Sequence, residues 1–164
     1  MSHPVNESDT IPRLEASLAR VRDRIEDSCA RSGRRPDEVR LVGVTKGLPA
    51  AAAAAAARAG LSDLGENYVQ ELTTKRAAAP GVRWHFLGRL QHNKVGKVLD
   101  LAEVVHTLEP GRAADRLARL ARSRPASPEC LVEIDFTGRR VGVDPGGLTS
   151  FVEELRAAGI TVRG

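Results

Sequence analysis

The sequence predicts an α/β protein built from parallel strand–helix units. Short apolar runs rich in Val, Ile and Leu alternate with longer amphipathic or alanine-rich stretches, at a spacing of roughly 20–30 residues. That spacing suits a strand followed by a helix that crosses over to the next parallel strand. Hydrophobic residues make up 41% and charged residues 28% of the 164 positions, which is typical of a folded globular chain.

The first predicted element is an amphipathic helix from about Pro12 to Arg31, followed by Gly33 at the expected helix end. Its apolar residues recur at helical spacing: Leu14, Leu18, Val21, Ile25 and Cys29. Residues 1–10 are polar, so they are predicted to form a flexible N-terminus and not a secretion signal. Residues 11–164 are predicted to form a single domain.

Six strands and five connecting helices are predicted after this first helix. The strands are Arg40–Thr45, Leu61–Glu66, Val82–Leu87, Val104–Leu108, Leu131–Phe136 and Ile160–Arg163. The helices are Pro49–Ala59, Tyr68–Ala79, Asn93–Leu101, Arg112–Arg122 and Leu148–Ala158. Gly60, Pro80 and Gly159 follow three of these helices, where helix-ending residues are expected.

Two architectures fit this pattern, an open doubly wound sheet and a (β/α)8 barrel. A dinucleotide-binding open sheet needs a glycine fingerprint after its first strand, and the turn here reads TKGLPA. A barrel needs eight strands and roughly 200 residues or more, and this chain supplies six strands. The strand and helix pattern leaves both architectures open.

Composition and charge disfavour two classes of partner. No apolar run approaches the roughly 18 residues needed to cross a bilayer, so no membrane partner is expected. The net charge is +4, but basic and acidic residues are interspersed and aromatics are only 3%, so no nucleic-acid partner is expected either. Two cysteines with no metal-ligand spacing favour reduced thiols in a cytoplasmic protein, and no metal site is predicted.

The positions at the carboxyl ends of the predicted strands, where both architectures bind ligands, are mostly polar. They are Lys46, Glu66, Asn67, Gly88, Arg89, Glu109, Asp135 and Arg163. A lysine in such a ring suits Schiff-base chemistry if its amine is partly desolvated or lies near other cations. By position alone, Lys46 is equally a strand-end lysine that extends to solvent.

Three strings give the sequence a specific resemblance. They are VTK at Val44–Lys46, DLGENYVQE at Asp63–Glu71 and WHFLGRLQHNK at Trp84–Lys94. In this order and spacing they resemble the pyridoxal phosphate homeostasis family, whose fold is an alanine-racemase-like barrel. A weaker fourth match covers Val132–Gly142, and the resemblance extends from about Leu14 to Gly164.

The resemblance implies a (β/α)8 barrel of the alanine racemase N-terminal kind, with pyridoxal 5′-phosphate held as a Schiff base on Lys46. It implies that Asn67, His85 and Gly88 line the cofactor pocket. The implied role is to hold the cofactor and control its free level without turnover, with pyridoxal-phosphate-dependent apo-enzymes as possible recipients. His85 lies between Trp84 and Phe86, so a hydrogen-bonded structural histidine is the alternative interpretation.

The family continues past the sixth strand with two further strand–helix units. This chain is therefore expected to be truncated, with about six units and without the C-terminal phosphate-binding part. Three other functions remain open: a pyridoxal-phosphate racemase or decarboxylase, a cofactor-free Schiff-base aldolase, and, more weakly, nucleic-acid binding through the basic surface.

Overall fold

The computed structural model describes residues 7–124, 127–139 and 141–164. The helices in these ranges are α1 (Glu7–Ser32), α2 (Ala50–Arg58), α3 (Val69–Ala78), α4 (Val95–Leu101), α5 (Arg112–Ala121) and α6 (Leu148–Ala157). The strands are β1 (Gly43–Val44), β2 (Asp63–Glu66), β3 (Arg83–Phe86), β4 (Val104–Leu108) and β5 (Glu129–Val132). In the described part of the chain, no helix is both long and apolar enough to cross a bilayer.

The five strands form one parallel sheet in the order β1-β2-β3-β4-β5. A doubly wound sheet reverses its strand order at a switch point, whereas a barrel adds each new strand beside the previous one. The sequential order is therefore that of a barrel wall. The alternative that the strand pattern left open is resolved in favour of the barrel.

The two faces of the sheet differ in chemistry, because successive side chains of a strand point to opposite sides. One face carries the main core, in which Leu64, Trp84 and Val105 are almost fully buried. On the other face, which is the inside of the barrel, the register places Val44, Gly65 and His85 in one row. A Cβ atom on Gly65 would lie 2.6 Å from Leu87 Cδ1, so a larger residue here would require the Leu87 side chain to move.

Helix α1 begins at Glu7, so the predicted start near Pro12 is wrong. Pro12 lies in the second turn, where its missing N–H removes one hydrogen bond near the helix start and does not end the helix. Residues 7–10, placed in the predicted flexible N-terminus, belong to this helix, and residues 1–6 lie outside the described ranges.

The first and last predicted strands are shorter than expected. Strand β1 covers two residues, and the hydrogen bond from Thr45 N–H to the Gly65 carbonyl extends its pairing by one more. Among the described residues it pairs with β2 alone, so one side of its backbone has no ladder there. The sixth segment forms a single parallel bridge between Val162 and Cys130 and not the full strand that was predicted.

Strand β5 ends at Val132, four residues before the predicted end at Phe136. Beyond it the backbone pairs with its own following loop, since Asp135 N–H donates to the Val143 carbonyl. Phe136 consequently points to solvent and is 80% exposed.

Candidate functional site

Lys46 lies in a tight turn directly after β1. The N–H of Leu48 donates to the Thr45 carbonyl at 3.0 Å, and Gly47 adopts a φ of +73°, a conformation that favours glycine. The Lys46 side chain is exposed, and its amine contacts no hydrogen-bonding or charged partner within the described residues. The turn therefore presents an amine that no salt bridge occupies.

A buried lysine, Lys75, lies beneath this turn and anchors the residues on both sides of Lys46. Lys75 Nζ from α3 donates to the Thr45 carbonyl at 2.7 Å, to Glu66 Oε1 at 2.5 Å and to Glu71 Oε2 at 2.7 Å. The hydroxyl of Thr45 donates to Glu66 Oε1 at 2.7 Å, and Gly47 N–H donates to Glu71 Oε2 at 2.9 Å. The residues before and after Lys46 are thus both anchored to this Glu66–Lys75–Glu71 cluster.

The cluster is strongly coupled because Lys75 is 2% and Glu66 0% exposed. Burial alone would lower the pKa of Lys75, but the hydrogen bonds and charges of Glu66 and Glu71 outweigh it and raise that pKa. The sequence placed Glu66 at a strand end without indicating its partner. That partner is Lys75, and the only sequence clue was the spacing of Glu71 and Lys75 four residues apart on a helix.

Asn67 and Gly88 lie against each other at the ends of β2 and β3. A Cβ on Gly88 would lie 1.9 Å from the Asn67 carbonyl oxygen, so only glycine allows this approach. The Gly88 carbonyl accepts a hydrogen bond from Thr107 Oγ1 at 2.5 Å, which ties β3 to β4 at the same level. Asn67 is half-buried, and its side-chain amide has no hydrogen-bond partner among the described residues.

His85 lies inside the barrel, 2% exposed, with both ring nitrogens engaged. Nε2 lies 2.9 Å from Asp63 Oδ1, and Nδ1 lies 2.8 Å from His106 Nε2. Asp63 also accepts hydrogen bonds from Arg40 at 2.8 Å and from the Ser62 hydroxyl at 2.7 Å. These contacts match the structural alternative for His85, and its contact with a cofactor remains a prediction.

The network of Asp63, His85 and His106 inside the barrel changes the pKa of each of these three residues. Burial works to raise the pKa of Asp63, but hydrogen bonds from Ser62, Arg40 and His85 lower it to about 2. Burial lowers the pKa of His85, and the nearby Asp63 opposes this only in part. Burial also lowers the pKa of His106, with a smaller contribution from His85. At neutral pH the network therefore consists of a carboxylate and two neutral imidazoles.

The Asp63→Asn variant is expected to reveal this lowered pKa in the acid stability of the chain. The pKa of Asp63 falls from 3.8 to about 2 on folding, so the folded state binds fewer protons than the unfolded state in that range. The stabilisation from Asp63 is then present above about pH 4 and lost as the pH falls towards 2. Urea denaturation of both chains between pH 5 and 2 is expected to show their difference in unfolding free energy shrinking at low pH.

The control for this comparison is Asp23→Asn, at an exposed position on α1. This change at the surface is expected to alter the unfolding free energy by less than about 0.5 kcal/mol. A difference for Asp63→Asn that stays constant down to pH 2 would contradict the role assigned to the carboxylate.

The remaining polar residues at predicted strand ends divide between two locations. Arg89 and Glu109 form an ion pair at 3.1 Å beyond β3 and β4, at the same end as Lys46. Arg163 does not lie there: its neighbour Val162 pairs with Cys130, and Arg163 itself binds Glu129 at 3.0 Å. Its predicted place at the ligand end is wrong, because its side chain binds Glu129, which is the first residue of β5.

The family relationship follows from the sequence and fold together. The family described as alanine racemase, N-terminal domain, matches residues 16–164. The chain belongs to this family. The predicted resemblance and the predicted barrel fold are both confirmed.

Among characterised relatives in this family, the pyridoxal phosphate homeostasis protein of Escherichia coli K12 is 42% identical over 149 residues, covering 87% of this chain and 62% of that protein. The protein of the same name from Aquifex aeolicus is 33% identical over 140 residues, covering 83% of this chain and 61% of that protein. The chain thus spans about three-fifths of the length of these relatives.

Solved structures show the same architecture. PipY of Synechococcus elongatus, whose structure is known with pyridoxal phosphate bound, is 32% identical with a TM-score of 0.72, over 85% of this chain and 68% of that one. Alanine racemase of Clostridium difficile is 17% identical with a TM-score of 0.66, over 77% of this chain and 35% of that one. At that identity the racemase shows the fold alone.

Proposed function

We propose that this chain binds pyridoxal phosphate covalently through Lys46 and serves in homeostasis of the cofactor, without turnover. The observation that carries the proposal is the Lys46 turn, in which an unpaired amine is presented from a backbone anchored on both sides. Two relatives at 33% and 42% identity are named pyridoxal phosphate homeostasis proteins, and the PipY structure has the cofactor bound.

The residues at this end of the barrel fit the chemistry of the cofactor. Bound pyridoxal phosphate supplies an aldehyde carbon that condenses with an amine, forming a C=N bond and releasing water. Lys46 provides an amine without a competing carboxylate among the described residues. Asn67 provides an unpaired amide beside it, and Gly88 keeps the Asn67 backbone in place. We assign these three residues to the cofactor pocket, and His85 to its inner wall.

A homeostasis role is favoured over catalysis by the pattern of relatives. The proteins at 33% and 42% identity are named for homeostasis, whereas the alanine racemase structure matches at 17%. The single tyrosine, Tyr68, lies at the start of α3 and is 59% exposed. We propose that the chain acts in the cytoplasm and that its cofactor passes to pyridoxal-phosphate-dependent apo-enzymes.

The Lys46→Ala variant tests the cofactor site. The native chain, incubated with pyridoxal phosphate, is expected to show a visible absorption band that borohydride reduction converts into a stable label on Lys46. Lys46→Ala is expected to lose both the band and the label, because no other amine occupies the anchored turn. Absorption spectra before and after reduction, followed by peptide mass mapping, provide the measurement.

The matched control is Lys97→Ala, which removes an exposed lysine of α4 and is expected to leave the label on Lys46 unchanged. Labelling spread over surface lysines in the native chain would contradict the proposal. Rapid, repeated exchange of an amino acid's α-proton would favour an enzyme instead. Borohydride trapping of a ketose without the cofactor would favour an aldolase.

A further inference from the structure

The strand register places a second histidine, His106, on the inner face of the sheet. His85 pairs with Val104 in β4, so His106 lies two residues nearer the carboxyl end on the same face. Val44 pairs with Gly65, and Gly65 pairs with His85. Lys46 lies two residues beyond Val44, and His106 lies two residues beyond Val104, so both are on the carboxyl-end side of this row. The sequence alone assigned no role to His106.

The hydrogen bonds determine which nitrogen of His106 carries its proton. Asp63 is ionised at neutral pH and can only accept, so His85 must hold its proton on Nε2. A neutral His85 then has a bare Nδ1, which must accept from the Nε2–H of His106 at 2.8 Å. His106, also neutral, is left with a bare Nδ1 that has no hydrogen-bond partner among the described residues.

Asp63, His85 and His106 form a hydrogen-bonded relay, and neighbouring residues fix its Asp63 end. Asp63 is held by Arg40 and Ser62, at 2.8 and 2.7 Å. Arg40 and Arg83 add positive charge near His85, which favours its neutral form. His106 itself is only partly buried, and it lies on the inner face of the sheet. The arrangement fixes one tautomer of a partly exposed imidazole on that face.

We propose that His106 is a cofactor-binding residue of the Lys46 site, with an unprotonated Nδ1 that accepts a hydrogen bond from bound pyridoxal phosphate. Asp63 and His85 act as positioning residues that hold this tautomer. The inference rests on the proposed function, since it requires the cofactor to occupy the Lys46 end of the barrel. A purely structural role for the three residues would leave His106 Nδ1 unaffected by the cofactor.

The test is nuclear magnetic resonance of the full chain with ¹⁵N-labelled histidine, which reports the protonation of each ring nitrogen. His85→Gln and His106→Gln variants assign the signals. The cofactor-free chain is expected to show Nε2–H tautomers for both His85 and His106. Addition of pyridoxal phosphate is expected to shift the His106 Nδ1 signal, and the Lys46→Ala chain is expected not to show this shift.

Binding of pyridoxal phosphate provides the second readout. His106→Phe is expected to weaken binding about tenfold, the effect of one hydrogen bond, while the label stays on Lys46. His92→Phe, outside the barrel interior, is the matched control and is expected to bind as the native chain does. A labelled Lys46 with an unchanged His106 signal and unchanged affinity would overturn the role of His106 but keep the proposed function. An unlabelled Lys46 would overturn both, and a cofactor-free His106 with its proton on Nδ1 would overturn the relay.

Discussion

Replacement of Lys75 by methionine is expected to lower the free energy of unfolding by about 3–5 kcal/mol, because it leaves a buried carboxylate without its cation. Glu66 is 0% exposed, and its Oε2 already has no hydrogen-bond partner within the described part of the chain. Methionine has a similar length and keeps the packing, so the loss reports the charge and its hydrogen bonds. Urea denaturation at neutral pH measures the change.

Two further variants separate charge from packing at this cluster. Adding Glu66→Gln to Lys75→Met removes the uncompensated charge, and the double variant is expected to recover part of the lost stability. Lys97→Met, at an exposed position of α4, is expected to change the unfolding free energy by less than about 0.5 kcal/mol. Equal effects of Lys75→Met and Lys97→Met on the unfolding free energy would show that the buried lysine does not stabilise the fold.

Gly88→Ala is expected to lower the free energy of unfolding by about 1–3 kcal/mol or more, because the added methyl group meets backbone that cannot move freely. The Cβ would lie 1.9 Å from the Asn67 oxygen and 2.8 Å from its carbonyl carbon. Asn67 directly follows β2, whose last residue, Glu66, is held by Lys75 and Thr45. Thermal or urea unfolding gives the change in stability, and the efficiency of labelling at Lys46 reports whether the mouth of the barrel is also displaced.

A second glycine, Gly96, provides the control, because its replacement by alanine is not expected to lower the stability. Gly96 lies in α4, and a Cβ there would meet only Leu120 Cδ1 at 3.9 Å. Gly96→Ala is therefore expected to leave stability unchanged or raise it by up to about 1 kcal/mol, through better helix propensity. A loss of stability at Gly96 as large as that at Gly88 would contradict the close-approach argument.

The order of elements was predictable because local patterns encode it. Apolar runs marked all five strands, and the predicted range of β4, Val104–Leu108, agrees at both ends with the structure. Glycine and proline correctly marked the ends of several helices, since their backbone restrictions act within a few residues. The start of α1 was placed too late because proline in a second turn was read as a helix boundary.

The sequence motifs identified Lys46 and Asn67 together, but they did not reveal the tertiary contacts around these two residues. Lys75 lies 30 residues after the carbonyl that it holds, and no local pattern distinguishes a buried lysine of α3 from an exposed one. Nothing in the sequence indicated a role for His106, because its partner, His85, is 21 residues away on the neighbouring strand. Contacts between strands depend on register, which hydrophobic alternation restricts to one face without identifying the partner residue.

By itself, the sequence determined the family, the succession of strands and helices, and the lysine at the end of the first strand, because each is written in contiguous residues. Only the tertiary structure decided the sequential strand order that makes a barrel wall, the buried charges that anchor the Lys46 turn, and the Asp63–His85–His106 relay. These features join residues distant in the chain, and they arise where burial makes an unpaired charge or polar group too costly to leave unsatisfied.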